Sequence, residues 1–212
     1  MGVKKLTIQN LKRIDIDYGP FDKVVDIGCG EKPYQKYVSA NSYIGIDVEV
    51  SGRNNDTKLP DLYYDGENLP FENDSIDFIL CTEVLEHCLE PEKIVSEMHR
   101  CLKPNGIAFI TVPSMWGEHE MPYDFRRYMS NGIIKLLEDK SFHVVDIQAE
   151  DRGLLAFVKL GLSEVLHGHK SKNHLRYLIA KFWLLLTYVL FKSISINMPR
   201  IYLSNQVIAE KK

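Results

Sequence analysis

Near the start of the chain, Val24-Val25-Asp26-Ile27-Gly28-Cys29-Gly30 closes an apolar run on two glycines one residue apart. Without Cβ atoms, glycines at that spacing let the backbone turn sharply and come up against a ligand. A second apolar run, Tyr43-Ile44-Gly45-Ile46, ends on Asp47. An acid about twenty residues after the first strand end is where the next parallel strand presents a carboxylate to ribose hydroxyls. The two strand ends together predict a nucleotide-cofactor site.

A dinucleotide fingerprint would place a third glycine three residues after Gly30, but that position is Pro33. Glu31 also puts a carboxylate into the loop that would have to receive phosphate charge, where a pyrophosphate wants bare amides. A cationic ligand is the better match, and nicotinamide-dependent oxidoreduction is the weaker alternative. In the form Asp26-Ile27-Gly28-Cys29-Gly30, the loop resembles the first motif of the class I S-adenosylmethionine-dependent methyltransferases. Three later stretches extend the resemblance, in order, over roughly residues 20–150. Leu62-Tyr63-Tyr64-Asp65-Gly66-Glu67-Asn68-Leu69-Pro70-Phe71 resembles the family's third-strand segment. Ser75 to His87, ending Glu83-Val84-Leu85-Glu86-His87, resembles the fourth strand and its turn. Leu102-Lys103-Pro104-Asn105-Gly106 to Pro113 resembles the turn and fifth strand, with Asn105-Gly106 as a tight turn.

The resemblance implies S-adenosyl-L-methionine as cofactor and S-adenosyl-L-homocysteine as product. It implies contacts from Asp26, Gly28, Cys29, Gly30, Asp47, Val48, Asp65, Gly66 and Glu83. In the family a strand-end acid holds the ribose, the glycine loop lies on the methionine portion, the third-strand Asp caps the adenine amino group, and the position of Glu83 passes the methionine end. A chain that keeps this pocket without turnover, for sensing or assembly, is the alternative from another class.

Methyl transfer needs no protein nucleophile, because the donor is already activated and positioning supplies much of the acceleration. An alcohol acceptor still profits from a base near the ends of the fourth or fifth strand. Two clusters qualify. Glu83, Glu86 and His87 follow the fourth strand, and Trp116 to Tyr128, which contains His119, Asp124, Arg126 and Arg127, follows the fifth. His119 is a candidate base, Asp124 its orienting partner or a ligand of the acceptor hydroxyl, and His87 a second base. Arg126 or Arg127 suits a phosphate or carboxylate on the substrate. The plainer reading has Glu86 and His87 capping a helix from Pro91, Arg127 and Tyr128 anchoring a helix capped by Ser130, and His119 exposed. No metal-ligand spacing is present, and no metal is expected. The stretch from His119 to about Val145 resembles a type-11-like branch of small methyltransferases associated with cell-surface sugar and polysaccharide pathways. That implies a small hydroxylated acceptor methylated at oxygen, a sugar or a lipid-linked glycan being one version of it.

These residues need an α/β scaffold to hold them. Short apolar runs alternate with helical segments, the pattern of parallel strands joined by crossover helices. Strands are expected at about 22–28, 42–47, 61–64, 75–80, 106–112, 142–149 and 200–210, with a helix from Pro91 to about Leu102. The expected fold is a Rossmann-like three-layer α/β sandwich: a seven-stranded, mostly parallel sheet, its last strand antiparallel and beside the sixth, with a helical insertion before that strand. One domain spans residues 1–212, with a donor-binding core at about 20–150, an apolar insertion at about 150–199 and the last strand at 200–210.

The net charge of −3 disfavours a nucleic-acid substrate. Cys29, Cys81, Cys88 and Cys101 read as reduced thiols, and residues 1–20 lack a signal-peptide core, so the expected location is cytoplasmic. Within the insertion, Leu178–Phe191 is apolar on almost every side around Trp183, too short and interrupted to span a bilayer. Three uses suit it: a buried or homodimer-interface helix, a substrate lid, or a peripheral membrane contact through about 175–198, favoured by Lys170, Lys172, Arg176, Lys181 and Lys192. His167, His169 and His174 read as solvated.

Overall fold

The computed structural model describes residues 5–52, 59–167, 174–193 and 201–212. Seven strands form one sheet: β1 Phe21–Ile27, β2 Ala40–Val48, β3 Leu62–Tyr64, β4 Ile76–Thr82, β5 Leu102–Pro113, β6 Phe142–Arg152 and β7 Tyr202–Lys211. Their order is β3-β2-β1-β4-β5-β7-β6. β1 pairs in parallel with both β2 and β4, and β2–β3 and β4–β5 are parallel too. The last strand is antiparallel and lies beside β6, as the sequence predicts, and it enters between β5 and β6. The chain crosses from one side of β1 to the other between β3 and β4, so the carboxyl ends of β1 and β4 flank the crevice where ligands bind in open α/β sheets.

Contacts divide the chain into two compact units. One is Met1–Pro113, Glu118–Gln148 and Asn205–Lys212; the other is Ser114–Gly117 and Ala149–Ser204. In the first, side chains alternate along the central strands and feed two cores. Val24, Phe78, Leu80, Ile107, Phe109 and Ile208 pack with Leu11 and Ile14 of α1 (Lys5–Tyr18). Val25, Ile27, Ile79, Cys81, Ala108 and Ile110 pack on the other face with Ile94, Val95 and Met98 of α2 (Pro91–Cys101) and Ile133 and Leu137 of α3 (Ser130–Glu138). That two-residue period makes the three layers.

Several local expectations change. The first twenty residues carry an unexpected helix, α1, whose inward stripe is Thr7, Asn10, Leu11 and Ile14. Half of it is polar because it meets a polar strand: Asn10 Nδ2 donates to Gln206 Oε1 at 2.8 Å, and Gln206 Nε2 donates to Thr7 Oγ1 at 3.0 Å. The Asn105-Gly106 turn lies inside β5, where Ile76 pairs with Leu102 but Phe78 with Ile107. The extra residues make a bulge, with Asn105 in the left-handed region at φ 63°. Ser130 opens α3 without a side-chain cap on the position before it; its hydroxyl donates to Asn205 Oδ1 at 3.0 Å instead.

The second unit holds α4 (Leu154–His167) and α5 (His174–Ser193), which pack together with Gly161 against Leu184. Ser114 donates its backbone N–H to Leu203 O at 2.8 Å and its hydroxyl to Tyr202 O at 2.6 Å. Leu178–Phe191 lies wholly within α5, whereas residues 168–173 and 194–200 of the predicted insertion lie outside the described residues. No helix among the described residues is long and apolar enough to cross a membrane.

Candidate active site

The loop after β1 is built as the glycines require. Gly28 sits at φ 65°, and a Cβ there would lie 2.4 Å from Val84 Cγ2 in the loop after β4. Its N–H and that of Cys29 donate to Ile46 O at 2.8 and 3.1 Å, pinning the turn to β2. At the end of β2, Asp47 is 7% exposed. Its Oδ2 accepts from Gly30 N at 3.2 Å and its Oδ1 from Val48 N at 2.8 Å, which orients the carboxylate and ties the two strand ends together.

A pocket of about 240 Å³ opens beside these ends, lined on one side by Gly28, Asp47, Val48, Asp65, Gly66 and Glu83. These are six of the nine positions expected at the donor. Cys29 and Gly30 are buried in the loop and do not line it. Asp26 lies deeper, 1% exposed, its Oδ2 accepting from Tyr43 Oη at 2.7 Å. Burial pushes the Asp26 carboxyl up to about 7, the charge of Asp47 adding to the effect while the Tyr43 hydrogen bond and Lys32 oppose it. Asp65 is exposed and holds its own turn, accepting from the backbone N–H groups of Glu67 and Asn68 at 2.8 and 2.7 Å and from Asn68 Nδ2 at 2.7 Å. Those bonds, led by the Asn68 side chain, lower its pKa.

Glu83, the residue after β4, sits in the left-handed region at φ 56°. Its N–H donates to Thr111 O at 2.9 Å and its Oε1 accepts from Thr111 Oγ1 at 2.9 Å, so β5 holds it in place. Glu120 has φ 55° and also lines the pocket. Non-glycine residues held in this conformation cost energy and gather where function requires them.

The two acid–base clusters, separate in the sequence, form one. The loop after β5 is tied to the Leu85–His87 turn and the residues after it by Phe125 N donating to Glu86 O at 2.9 Å, Arg126 Nη2 to Leu89 O at 2.7 Å and Tyr128 Oη to Leu85 O at 3.2 Å. His87 Nδ1 lies 2.7 Å from Tyr123 O. A carbonyl only accepts, so Nδ1 carries the proton and Nε2 presents its lone pair. The His87 and His119 rings meet edge to face with centroids 4.9 Å apart. Glu86 is fully buried, and α2 begins at Pro91 behind Glu90 without a side-chain cap. Glu86 and His87 therefore face the cluster rather than cap that helix.

Asp124 is the cluster's anchor, its side chain 1% exposed. Arg127 grips it with both nitrogens, at 2.5 and 2.7 Å, and the His119 N–H donates to its Oδ2 at 2.8 Å. Burial alone would raise its pKa, but Arg127 and that N–H outweigh burial and hold it down at about 2. Its Oδ2 also lies 3.3 Å from His119 Nδ1, and the His119 side chain is only 18% exposed, not the solvated residue of the plainer reading. Asp124 thus orients His119. Arg127 is committed to Asp124 and Arg126 to the carbonyls of Cys88 and Leu89, so neither matches the expected substrate-anion role.

Of the two histidines, His87 lines the pocket and His119 does not. Sequence reading missed Ser51, Gly52, Glu67, Cys88 and Leu89 on the walls; only Gly52 left a trace, since a Cβ there would lie 1.8 Å from Glu120 O. Burial pushes the Cys88 thiol up to about 11, which keeps it protonated and unreactive at neutral pH.

This sheet order, with a glycine turn after its central strand and an acid at the next strand end, is the class I S-adenosylmethionine-dependent methyltransferase fold. Residues 25–110 match the family described as Methyltransferase domain. Among curated proteins, an uncharacterized protein of Methanocaldococcus jannaschii is 33% identical over 99 residues, 45% of this chain and 38% of that protein. The ubiquinone biosynthesis O-methyltransferase of Rickettsia typhi is 29% identical over 114 residues, 48% of this chain and 46% of that protein. The chain spans about half, or less, of the length of the curated relatives it matches. Among solved structures, the cyclase SpnF superposes with a TM-score of 0.62 at 14% identity, covering 97% of this chain and 80% of that one. A cyclase on the same fold means that the reaction must be argued from the site.

Proposed function

We propose that the protein transfers the methyl group of S-adenosylmethionine to an oxygen of a small hydroxylated acceptor. The charge of the pocket carries this reading: Asp47, Asp65, Glu67, Glu83 and Glu120 line it, with no Lys or Arg among the described lining residues. Carboxylates favour a cationic sulfonium ligand, whereas a pyrophosphate would meet like charge. The nicotinamide alternative is correspondingly disfavoured. The glycine turn, with no room for a Cβ at Gly28, fits the close approach of such a ligand.

When bound, S-adenosylmethionine supplies a methyl group on a sulfonium sulfur, a leaving group that needs no protein nucleophile. Asp47 is oriented to accept from ribose hydroxyls, and Glu83 carries negative charge to the methionine side. At the other end, His87 lines the pocket and would take the proton of the substrate hydroxyl, and His119, held by Asp124, backs it. Two tied loops fix this geometry before substrate arrives, which is how positioning lowers the barrier. The O-methyltransferase relative and the resemblance of residues 119–145 support an oxygen acceptor. A sugar or a lipid-linked glycan is one version of it.

Titration calorimetry with S-adenosylmethionine, S-adenosylhomocysteine and NAD, on wild type and Asp47→Ala, tests the donor. Binding of the first two, lost in the variant, followed by release of S-adenosylhomocysteine with hydroxylated acceptors, is expected. Binding of NAD alone would sink the proposal, and donor binding without turnover on any acceptor would leave a binding module.

A second reading concerns α5, where Phe182, Trp183 and Val189 are 63, 61 and 60% exposed beside Lys181. Large apolar side chains on an open face suit the acyl boundary of an anionic membrane. Flotation with anionic vesicles should carry the wild type but not Phe182→Glu/Trp183→Glu. Wild type left at the bottom of the gradient removes the membrane contact.

A further inference from the structure

We propose that Glu86, His87 and His119 bind one divalent first-row transition ion at the acceptor end of the pocket. One ligating atom from each lies within 4.8 Å of the others. His87 Nε2 is 3.8 Å from Glu86 Oε1 and 3.8 Å from Glu120 Oε2. The chain segments that supply them are separated by more than thirty residues, so no sequence spacing announces the site.

Metal-binding histidines usually donate the other ring N–H to a carbonyl or carboxylate, which fixes the tautomer and aims the lone pair. Both histidines have that support. The Tyr123 carbonyl holds the proton on His87 Nδ1, and Asp124, gripped by Arg127, lies 3.3 Å from His119 Nδ1. Both Nε2 atoms are thereby left as the ligating nitrogens beside a carboxylate that is fully buried. A cation at their meeting point would compensate an ionised carboxylate buried there.

Two imidazoles with one carboxylate favour zinc or a neighbouring transition ion over magnesium or calcium. Ligand bonds of about 2.0–2.2 Å put tetrahedral donor atoms roughly 3.3–3.5 Å apart. Closing on an ion therefore takes side-chain shifts of about 1 Å. Three protein ligands leave a fourth position for the acceptor, and of the cluster His87 and the neighbouring Glu120 line the pocket. The ion's role rests on the methyl-transfer reading: it would hold the acceptor hydroxyl and lower its pKa, so that the proton leaves to Glu120. His87 Nε2 would then be a ligand, not the base.

The test is zinc titration of chelator-stripped full-length protein by calorimetry, with elemental analysis of the dialysed product. One ion per chain is expected, weakened at least ~100-fold in His87→Ala and His119→Ala and roughly 10–100-fold in Asp124→Asn. A His167→Ala/His169→Ala/His174→Ala variant should bind like wild type. No stoichiometric ion, or equal affinity in wild type and His87→Ala/His119→Ala, overturns the site. The cobalt-substituted wild type needs no variant: a spectrum of nitrogen and oxygen ligation is expected, and a thiolate charge-transfer band would put the ion on a cysteine and overturn the proposal. S-adenosylmethionine binding on the same stripped protein separates the two readings. Donor binding without zinc binding sinks the ion alone, and zinc binding without donor binding sinks the methyltransferase reading and leaves the ion.

Discussion

The proposed donor end of the pocket and its proposed acceptor end are built by opposite means. At the donor end each functional position sits in or beside the strand end that carries it, and the fixing bonds are short-range in the sheet: Gly28 and Cys29 to Ile46, Asp47 to Gly30 and Val48. At the acceptor end, two loops more than thirty residues apart are bound by Phe125 to Glu86, His87 to Tyr123, and Arg126 to Cys88 and Leu89. Parallel-strand topology alone delivers the first. The second exists only while the loops hold one another, so a change in it can alter chemistry without touching cofactor binding.

The largest expected effect comes from breaking the donor end at its backbone. Gly28→Ala sets a Cβ 2.4 Å from Val84 Cγ2 at a positive φ, so S-adenosylmethionine affinity should fall at least ~100-fold, about 2.7 kcal/mol, by calorimetry. Affinity within threefold of wild type would mean the turn does not set the site. Cutting the acceptor end's anchor should do the reverse. Asp124→Asn loses the ionised partner of Arg127 and of His119, and turnover should drop on the order of 10²–10³-fold with donor affinity nearly unchanged. Equal loss of both would erase the distinction between the two ends.

A smaller effect sharpens the comparison through pH. Asp26, in the sheet behind the donor turn, has its carboxyl raised from 3.8 to about 7 by burial. Between those values the folded chain holds a proton that the unfolded chain releases. Its contribution to stability is therefore full below pH 3.8 and lost as pH rises through about 7. Asp26→Asn should stabilise the protein at pH 8 by roughly 2–4 kcal/mol and by little at pH 4, followed by denaturant melts; a gain independent of pH would show that charge is not the cause. Smallest is Arg126→Ala, which removes two hydrogen bonds to carbonyls and should cost about 1–3 kcal/mol in the same melts.

The legible part of the molecule is that in which residue type and position suffice. Val24–Gly30 and Tyr43–Asp47 announced two strand ends because β-branched runs closing on Gly or Asp have few other uses, and the strands fall within a few residues of expectation except at β5. There the bulge carries the strand back to Leu102, since pairing with Ile76 was invisible along the chain. Helix α1 escaped because half its buried stripe is polar, and Thr7 and Asn10 make sense only opposite Gln206, almost two hundred residues away. Arg126 looked like an anion binder because the carbonyls it serves, those of Cys88 and Leu89, lie in another segment; Arg127 did so although its carboxylate, Asp124, is three residues back in the same loop, since spacing alone does not say that the two side chains meet.

By itself, then, the sequence determined the scaffold and the glycine-and-acid end of the pocket: periodicity of two along the strands, glycine where the turn admits no side chain, and carboxylates at the strand ends, all local consequences of backbone sterics and charge. The tertiary structure alone decided which acid–base groups meet. It took Asp26 out of the pocket, put His87 on its wall with His119 behind, spent Asp124 on Arg127, and brought Glu86 beside both imidazoles. Those outcomes depend on distances across loops, which the order of residues along a chain does not specify.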